Sequence, residues 1–149
     1  MTDIPCSRVQ ASGSFKLPVS PGDAFDLFTA AGERLWVPGW SPRFFGQAEP
    51  QKSGLVFETG EGANATIWVV LESDRKSGRL KYARITPGSR AGTVEVCLTS
   101  SGRETQVSVA YDLTALSADA GDLEQYSPAR FRAMMEEWRT LTAEYLRQV

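Results

Sequence analysis

Glu33 is the acidic residue whose neighbours could equip it for proton transfer. It opens the stretch Glu33-Arg34-Leu35-Trp36. A carboxyl group held beside tryptophan in an apolar pocket has a raised pKa and can serve as an acid or a base. The alternative is that Glu33 caps a short helix or pairs with an arginine and so fixes the loop. We favour the loop-fixing interpretation and keep acid/base catalysis by Glu33 as the second hypothesis.

Arg84 could anchor the polar end of a ligand. It lies in a strand-like segment with Leu80 and Tyr82 on its own face. If that face points inward, the guanidinium can bind a ligand carboxylate. If it points outward, Arg84 is a solvated surface charge. The opposite face is equally mixed in polarity, so alternation alone leaves both possibilities open.

For the strand-like segment 65–72, too, the sequence leaves open which face points inward. One of its faces is aliphatic, and the other carries Trp68 and Glu72. An inward Trp68 would bring Glu72 to the cavity or to its rim. Glu58 and Glu95 are open to the same two interpretations. No spacing between carboxylates specifies an acid-base pair of the kind that glycosidases use.

An aromatic cluster could line a cavity for a flat apolar ligand, because binding pockets are mostly apolar with a few polar groups. The alternative is that these rings simply fill the core, and we expect at least two of them to border a cavity. The cluster consists of Trp36, Trp40, Trp68, Tyr82, Tyr111 and Trp138.

The absence of histidine and the spacing of cysteine and glycine argue against several kinds of catalytic, metal and cofactor site. The chain has no histidine, which removes the commonest general base, the Ser-His and Cys-His pairs and most zinc sites. Cys6 and Cys97 fit no metal-binding or redox spacing. The stretch Gly60-Glu61-Gly62 lacks the third glycine of a dinucleotide-binding loop, and strands rather than a helix follow it. We therefore expect no metal and no cofactor.

The net charge and the hydropathy of the chain disfavour two classes of partner, nucleic acid and the membrane interior. A net charge of −2 over 149 residues gives no electrostatic footprint for nucleic acid. The longest clearly apolar run, 67–71, is far shorter than the roughly 20 residues of a membrane-spanning helix, so no membrane insertion is expected. The N-terminal residues contain neither a basic region nor an apolar core, and a cytoplasmic location is predicted. The length fits one domain over 1–149.

The local patterns predict strands bracketed by two helices. Ser20 and Pro21 read as the cap and first residue of a helix that ends near Gly32, followed by a short turn over 33–36. The last helix spans 127–147 with Ser127 as its cap, or begins near Asp122 with a kink at Pro128. A polar stretch over 114–121 precedes it. The predicted strands cover 8–18, 44–45, 56–59, 65–72, 79–86, 92–100 and 104–113.

Consecutive strands joined by tight turns imply an antiparallel sheet, and helices at both ends of the sequence imply an α+β fold. Five parts of the chain carry a family resemblance: 15–18 (Phe-Lys-Leu-Pro), 20–25 (Ser-Pro-Gly-Asp-Ala-Phe), 33–40 (Glu-Arg-Leu-Trp-Val-Pro-Gly-Trp), 111–117 and Trp138. In these parts the chain resembles the START-like superfamily, also called Bet v 1-like, SRPBCC or polyketide-cyclase-like. The stretch 33–40 is similar to an uncharacterised bacterial branch of that group.

The resemblance implies a helix-grip fold, a curved antiparallel sheet of about six to seven strands wrapped around a long C-terminal helix. Its members bind lipids, steroids and polyketides, cyclise or dehydrate them, or act as co-chaperones. The leading prediction is therefore binding of a small hydrophobic or amphipathic ligand, such as a lipid, a polyketide or an aromatic metabolite. An aromatase- or cyclase-type enzyme and a co-chaperone-like interaction module are the alternatives, and a homodimer is left open.

The expected ligand-binding residues lie on the two proposed walls of the cavity, the sheet and the C-terminal helix, and in the segment 33–40. Aromatic rings would supply contact area, Arg84 would orient a polar end, and Glu33 is the candidate acid or base. The set is Trp36, Trp40, Trp68, Tyr82, Arg84, Tyr111 and Trp138.

Overall fold

The computed structural model describes residues 6–117 and 121–149, and within them seven strands form one antiparallel sheet in the order β1-β7-β6-β5-β4-β3-β2. The strands are β1 (Arg8–Leu17), β2 (Arg43–Phe45), β3 (Val56–Thr59), β4 (Thr66–Asp74), β5 (Arg79–Thr86), β6 (Arg90–Ser101) and β7 (Glu104–Ala115). Every consecutive pair from β2 to β7 is adjacent, and β1 completes the sheet beside β7.

The two α-helices follow β1 and β7 in the chain. The α-helices are α1 (Pro21–Phe25) and α2 (Pro128–Arg147). Short 3₁₀ helices cover Asp26–Phe28, Gly32–Leu35, Gly62–Asn64 and Gly121–Tyr126. Within the described ranges, no helix is long and apolar enough to cross a membrane.

Alternation of buried and exposed residues sets the two faces of the sheet. In β5 the buried positions are Leu80, Tyr82, Arg84 and Thr86, and their neighbours are partly or fully exposed. Successive strand residues point to opposite faces, so these four share the inner face. The face of β5 that sequence reasoning left open is thereby assigned.

The helix α2 covers the inner face. Its buried Phe131 and Met135 form part of the core, and Gly13 of β1 allows close approach. A Cβ atom at Gly13 would lie 2.8 Å from Cγ of Met135 and 3.5 Å from a ring atom of Phe131. The glycine therefore leaves room for the helix to pack against the first strand.

The first helical region is shorter than predicted. Ser20 does cap α1, with its hydroxyl accepting from the amide of Asp23 at 3.3 Å. The α-helix ends at Phe25, however, and two 3₁₀ helices follow. Gly32 begins the second of these rather than ending α1, and its amide donates to the Thr29 hydroxyl at 3.0 Å. A Cβ at Gly32 would lie 1.6 Å from the carbonyl oxygen of Asp26, so only glycine fits this fold-back.

Other boundaries differ at the strand ends. Arg90, expected in a turn, is the first residue of β6, and β7 continues to Ala115, past its predicted end. Ser127 caps α2 by accepting from the amide of Arg130 at 3.4 Å, which decides against a helix start near Asp122. Residues 118–120 of the predicted polar stretch lie outside the described residues.

The predicted fold class is confirmed. The structure is an α+β helix-grip fold, with a seven-stranded antiparallel sheet and a long C-terminal helix among the described residues. The segment between β1 and β2 carries α1 and two of the 3₁₀ helices, and its Glu33, Val37 and Trp40 border the space between the sheet and α2.

Candidate ligand-binding cavity

A cavity of about 430 Å³ lies between the inner face of the sheet and α2. Binding sites for small molecules occupy about 300–1,000 Å³, so its size suits a compact ligand. Strands β3 to β7 supply one wall, and Met134 and Trp138 of α2 supply the opposite one. The 3₁₀ helices and loops contribute Glu33, Trp40 and Tyr126 at the ends.

Six of the seven predicted ligand-binding residues border this cavity; that they bind a ligand remains a prediction. They come from the loop after the 3₁₀ helices, from β4, β5 and β7, and from α2. The six are Trp40, Trp68, Tyr82, Arg84, Tyr111 and Trp138.

Trp36 is the exception. It is 5% exposed and lies in the core beside the cavity rather than in its wall. Its indole nitrogen donates to the carbonyl of Leu27 at 2.6 Å, and its ring packs edge-on against Phe28 and Trp138 at 5.7 and 5.4 Å between centroids. Trp36 therefore fills the core, which is the alternative to lining the cavity.

The aromatic wall is built by rings that contact each other across strands. Phe57 and Trp68 are opposite one another in β3 and β4, and their rings stack at 5.8 Å with an interplanar angle of 2°. Trp40 and Tyr82 each meet Trp68 edge-on, at 5.6 and 6.1 Å. Such pairs contribute about 0.5–1.5 kcal/mol each beyond their buried area, which holds the wall in one arrangement.

The polar atoms of these rings already have partners within the protein. The indole nitrogens of Trp68 and Trp40 donate to the Thr59 hydroxyl at 2.9 Å and to the Ala30 carbonyl at 2.7 Å. The Tyr82 hydroxyl donates to the Phe28 carbonyl at 2.6 Å. The rings therefore offer apolar contact to a ligand rather than hydrogen bonds.

Gln51 ties the loop region to this wall. Its side-chain oxygen accepts from the Ala30 amide at 2.8 Å, and its nitrogen donates to the hydroxyls of Tyr82 and Ser73 at 3.0 and 3.2 Å. Burial raises the pKa of the Tyr82 phenol, and so does the nearby Glu33 carboxyl, so this hydroxyl stays protonated as a donor. No sequence pattern predicted this role of Gln51.

Glu33 lies in the 3₁₀ helix Gly32–Leu35 and borders the cavity. Among the described residues its carboxyl makes neither a capping hydrogen bond nor an ion pair, so the loop-fixing interpretation is wrong. Removal from bulk water raises the pKa of the carboxyl well above its ordinary value, and the positive charge of Arg84 opposes that rise. The site thus favours the protonated form of Glu33.

The other acidic candidates lie on the outside of the sheet. A register shift in β4 between Val70 and Glu72 turns Glu72 to the outer face of the sheet. On that face its carboxylate pairs with Arg79 at 3.4 Å. Glu95 pairs with Arg79 at 3.4 Å, and Glu58 pairs with Arg43 at 2.8 Å. An inward Trp68 therefore does not bring Glu72 to the cavity.

Arg84 is buried in the cavity wall with 9% of its surface exposed. Its guanidinium carbon lies 4.8 Å from the centre of the Trp68 ring, a cation–π contact. In the part of the chain that the structure describes, its Nε has no hydrogen-bond partner and its side chain forms no ion pair. The inward interpretation of Arg84 is the one that the structure shows.

Arg90 is the cavity residue that sequence reasoning missed. Its Nε is also buried without a partner in the described residues, while one Nη donates to the Ser89 hydroxyl at 3.2 Å. Its guanidinium carbon lies 5.8 Å from the centre of the Tyr126 ring. The signal was present in β6, because the inward alternation of Val96 and Val94 continues at positions 92 and 90.

Tyr111 of β7 borders the cavity and contacts aromatic rings of α2. Its ring meets Tyr126 at 5.4 Å and Phe131 edge-on at 5.3 Å. Burial is the main cause of the raised pKa of its phenol, and the charge of Arg84 opposes it. The hydroxyl is therefore a proton donor rather than a phenolate at neutral pH.

No family model and no curated protein sequence matches this chain. Solved structures match it over most of its length. Norcoclaurine synthase from Thalictrum flavum superposes with a TM-score of 0.66 and 12% identity, covering 93% of this chain and 88% of that one. One structure of that synthase is a complex with dopamine and hydroxybenzaldehyde.

Two further structures extend the comparison. Ara h 8.0201 gives a TM-score of 0.61 at 14% identity, covering 87% of this chain and 97% of that one. DynU16, from the dynemicin biosynthetic locus, gives 0.62 at 15%, covering 93% of this chain and 47% of that one. At such identities the likeness establishes the fold alone, which is Bet v 1-like, as the sequence resemblance implied.

Proposed function

We propose that this protein with a Bet v 1-like fold binds a small hydrophobic or amphipathic molecule, such as a lipid, a polyketide or an aromatic metabolite, between its sheet and α2. The observation that carries the proposal is the cavity of about 430 Å³, whose aromatic wall has its polar atoms already hydrogen-bonded. The rings of Trp40, Trp68 and Tyr82 therefore favour contact with the apolar part of a ligand. The norcoclaurine synthase complex with small aromatic molecules is consistent with this use of the fold.

A neutral aromatic probe tests the proposal. N-phenyl-1-naphthylamine is uncharged and fluoresces when it enters an apolar site. We expect saturable binding to the wild-type protein and loss of at least tenfold in affinity in Val96→Trp, because Val96 borders the cavity and an indole there would occupy the ligand's space.

The control is Val69→Trp, which adds the same ring at a half-exposed position on the outer face of β4. It should bind the probe like the wild type, and circular dichroism should show that both variants are folded. Equal binding by the wild type and Val96→Trp would contradict the proposal, since the probe would then bind elsewhere.

Enzymatic cyclisation or aromatisation is the second candidate, because Glu33 borders the cavity, has a raised pKa, and makes neither a capping hydrogen bond nor an ion pair among the described residues. Such a group can donate a proton to a bound carbonyl compound and accept one back. We expect any turnover of poly-β-ketone thioester mimics to fall at least 100-fold in Glu33→Gln while probe affinity is retained. Unchanged turnover would remove Glu33 from the chemistry.

A further inference from the structure

Two arginines that form no ion pair among the described residues face the same cavity, the buried Arg84 and the half-buried Arg90. Arg84 and Arg90 both border it, and the Nε of each is buried without a hydrogen-bond partner among the described residues. Burying a charge is costly unless it is paired, and buried polar atoms in native proteins almost always have partners. The described residues therefore leave a hydrogen-bonding position on each arginine for a partner such as a bound ligand.

The sheet register brings the two arginines together. Arg84 of β5 pairs with Gly92 of β6, and Thr86 pairs with Arg90. The two arginines are thus diagonal neighbours on the inner face, and diagonal positions lie about 7–8 Å apart, within reach of long side chains. Gly92, opposite Arg84, places no side chain between them. One ligand group can therefore contact both guanidiniums.

Each guanidinium has an aromatic ring nearby and an Nε that lacks a hydrogen-bond partner among the described residues. Arg84 lies over Trp68 at 4.8 Å, and Arg90 lies over Tyr126 at 5.8 Å. A ring against the planar face holds the guanidinium and leaves its N–H edge for a partner in the same plane. That edge matches a carboxylate, which accepts two parallel hydrogen bonds.

The acids near the cavity do not neutralise the pair. Glu33 is the single acidic residue bordering the cavity in the described part of the chain, and it forms no ion pair with either arginine. Glu58 and Glu95 are engaged with other basic residues. The wall therefore carries excess positive charge at the place where the ligand would lie.

We infer that the ligand is an amphipathic carboxylate whose anionic end binds the N–H edges of Arg84 and Arg90 while its apolar body lies against Trp40, Trp68 and Trp138. The inference rests on the proposed function and specifies the ligand class. The aromatic wall selects an apolar body, and the two arginines select the charge and planarity of the end group.

A matched pair of probes tests the inference by calorimetry. 2-Naphthoate and 2-naphthamide share their ring and nearly their shape, but only the first carries a negative charge. We expect the wild type to bind naphthoate at least tenfold more tightly than naphthamide. Arg84→Gln and Arg90→Gln should each reduce that preference at least fivefold and leave naphthamide affinity within twofold.

Two further variants separate charge, geometry and folding. Arg84→Lys keeps the charge but lacks the planar fork, so it should retain only part of the preference. Arg103→Gln removes a positive charge at the exposed hairpin tip between β6 and β7 and should behave as wild type. Thermal unfolding should show all variants folded.

The outcomes are distinguishable. Equal affinity of the wild type for both naphthalenes would overturn the carboxylate inference and leave the binding function standing. Parallel weakening of both probes by Arg84→Gln would also overturn it, since the arginine would then only maintain the wall. Failure of both probes to bind would contradict the proposed function, and this inference with it.

Discussion

Individual side chains at this site owe their properties to which face of a strand they occupy. Arg84 and Glu95 both lie in strands of mixed polarity, yet one is buried in the cavity wall and the other pairs with surface cations. The residue types alone could not distinguish them. Glu33 was identified from its tryptophan neighbour, but only the folded geometry shows that its carboxyl makes neither a capping hydrogen bond nor an ion pair with a described residue.

Glu33 should leave a signature in the pH dependence of stability. Its pKa is raised in the folded protein, so the folded state holds the proton more tightly. Its contribution is fully present below the unfolded pKa of about 4.3 and is lost as the pH rises through the folded pKa. In Glu33→Gln that loss disappears, and urea denaturation from pH 4 upward should show a smaller decline than in the wild type.

Glu104→Gln is the control for this experiment. Glu104 is exposed at the start of β7, and its replacement should leave the wild-type pH profile unchanged. If the Glu33→Gln profile runs parallel to the wild type over the whole range, the carboxyl is not desolvated as the structure indicates.

At the scale of elements, boundaries depend on contacts that local patterns do not contain. The Ser20 and Ser127 caps were predicted correctly because a capping hydrogen bond is local. The early end of α1 was not, since Gly32 folds back against Asp26 in a way that only the tertiary path requires. The register shift in β4 likewise moved Glu72 outward against its alternation.

Gly92 allows the backbones of β6 and β7 to approach closely, two residues from Arg90. A Cβ atom there would lie 1.9 Å from the carbonyl oxygen of Asp112 in β7. We expect Gly92→Ala to lower the unfolding free energy by about 2 kcal/mol, since overpacking a close contact costs about 1–3 kcal/mol. Chemical denaturation measures the change.

Gly22→Ala is the matched control, because a Cβ at this α1 position would meet nothing within 4 Å. Alanine is also the better helix former, by about 1 kcal/mol. A stability as low as that of Gly92→Ala would show that the loss does not come from the contact with β7. Retained stability in Gly92→Ala itself would mean that β6 and β7 can separate at this point.

At the scale of the whole molecule, the sequence was sufficient to predict the architecture, but it predicted the residues that line the cavity only in part. Six strands in immediate succession and a capped amphipathic helix leave few ways to bury both apolar faces, so the α+β helix-grip fold was predictable. The cavity wall depends on which rings face the gap. Trp36 and Trp40 are four residues apart in one loop region, yet only Trp40 reaches it.

The placement of the indole rings also gives the protein a built-in optical reporter. Of the four tryptophans in the chain, Trp40, Trp68 and Trp138 border the cavity and Trp36 is sealed in the core. We expect the emission from the first three to change when a molecule enters the cavity. Occupancy can thus be followed without a dye or label, including for compounds that absorb no visible light.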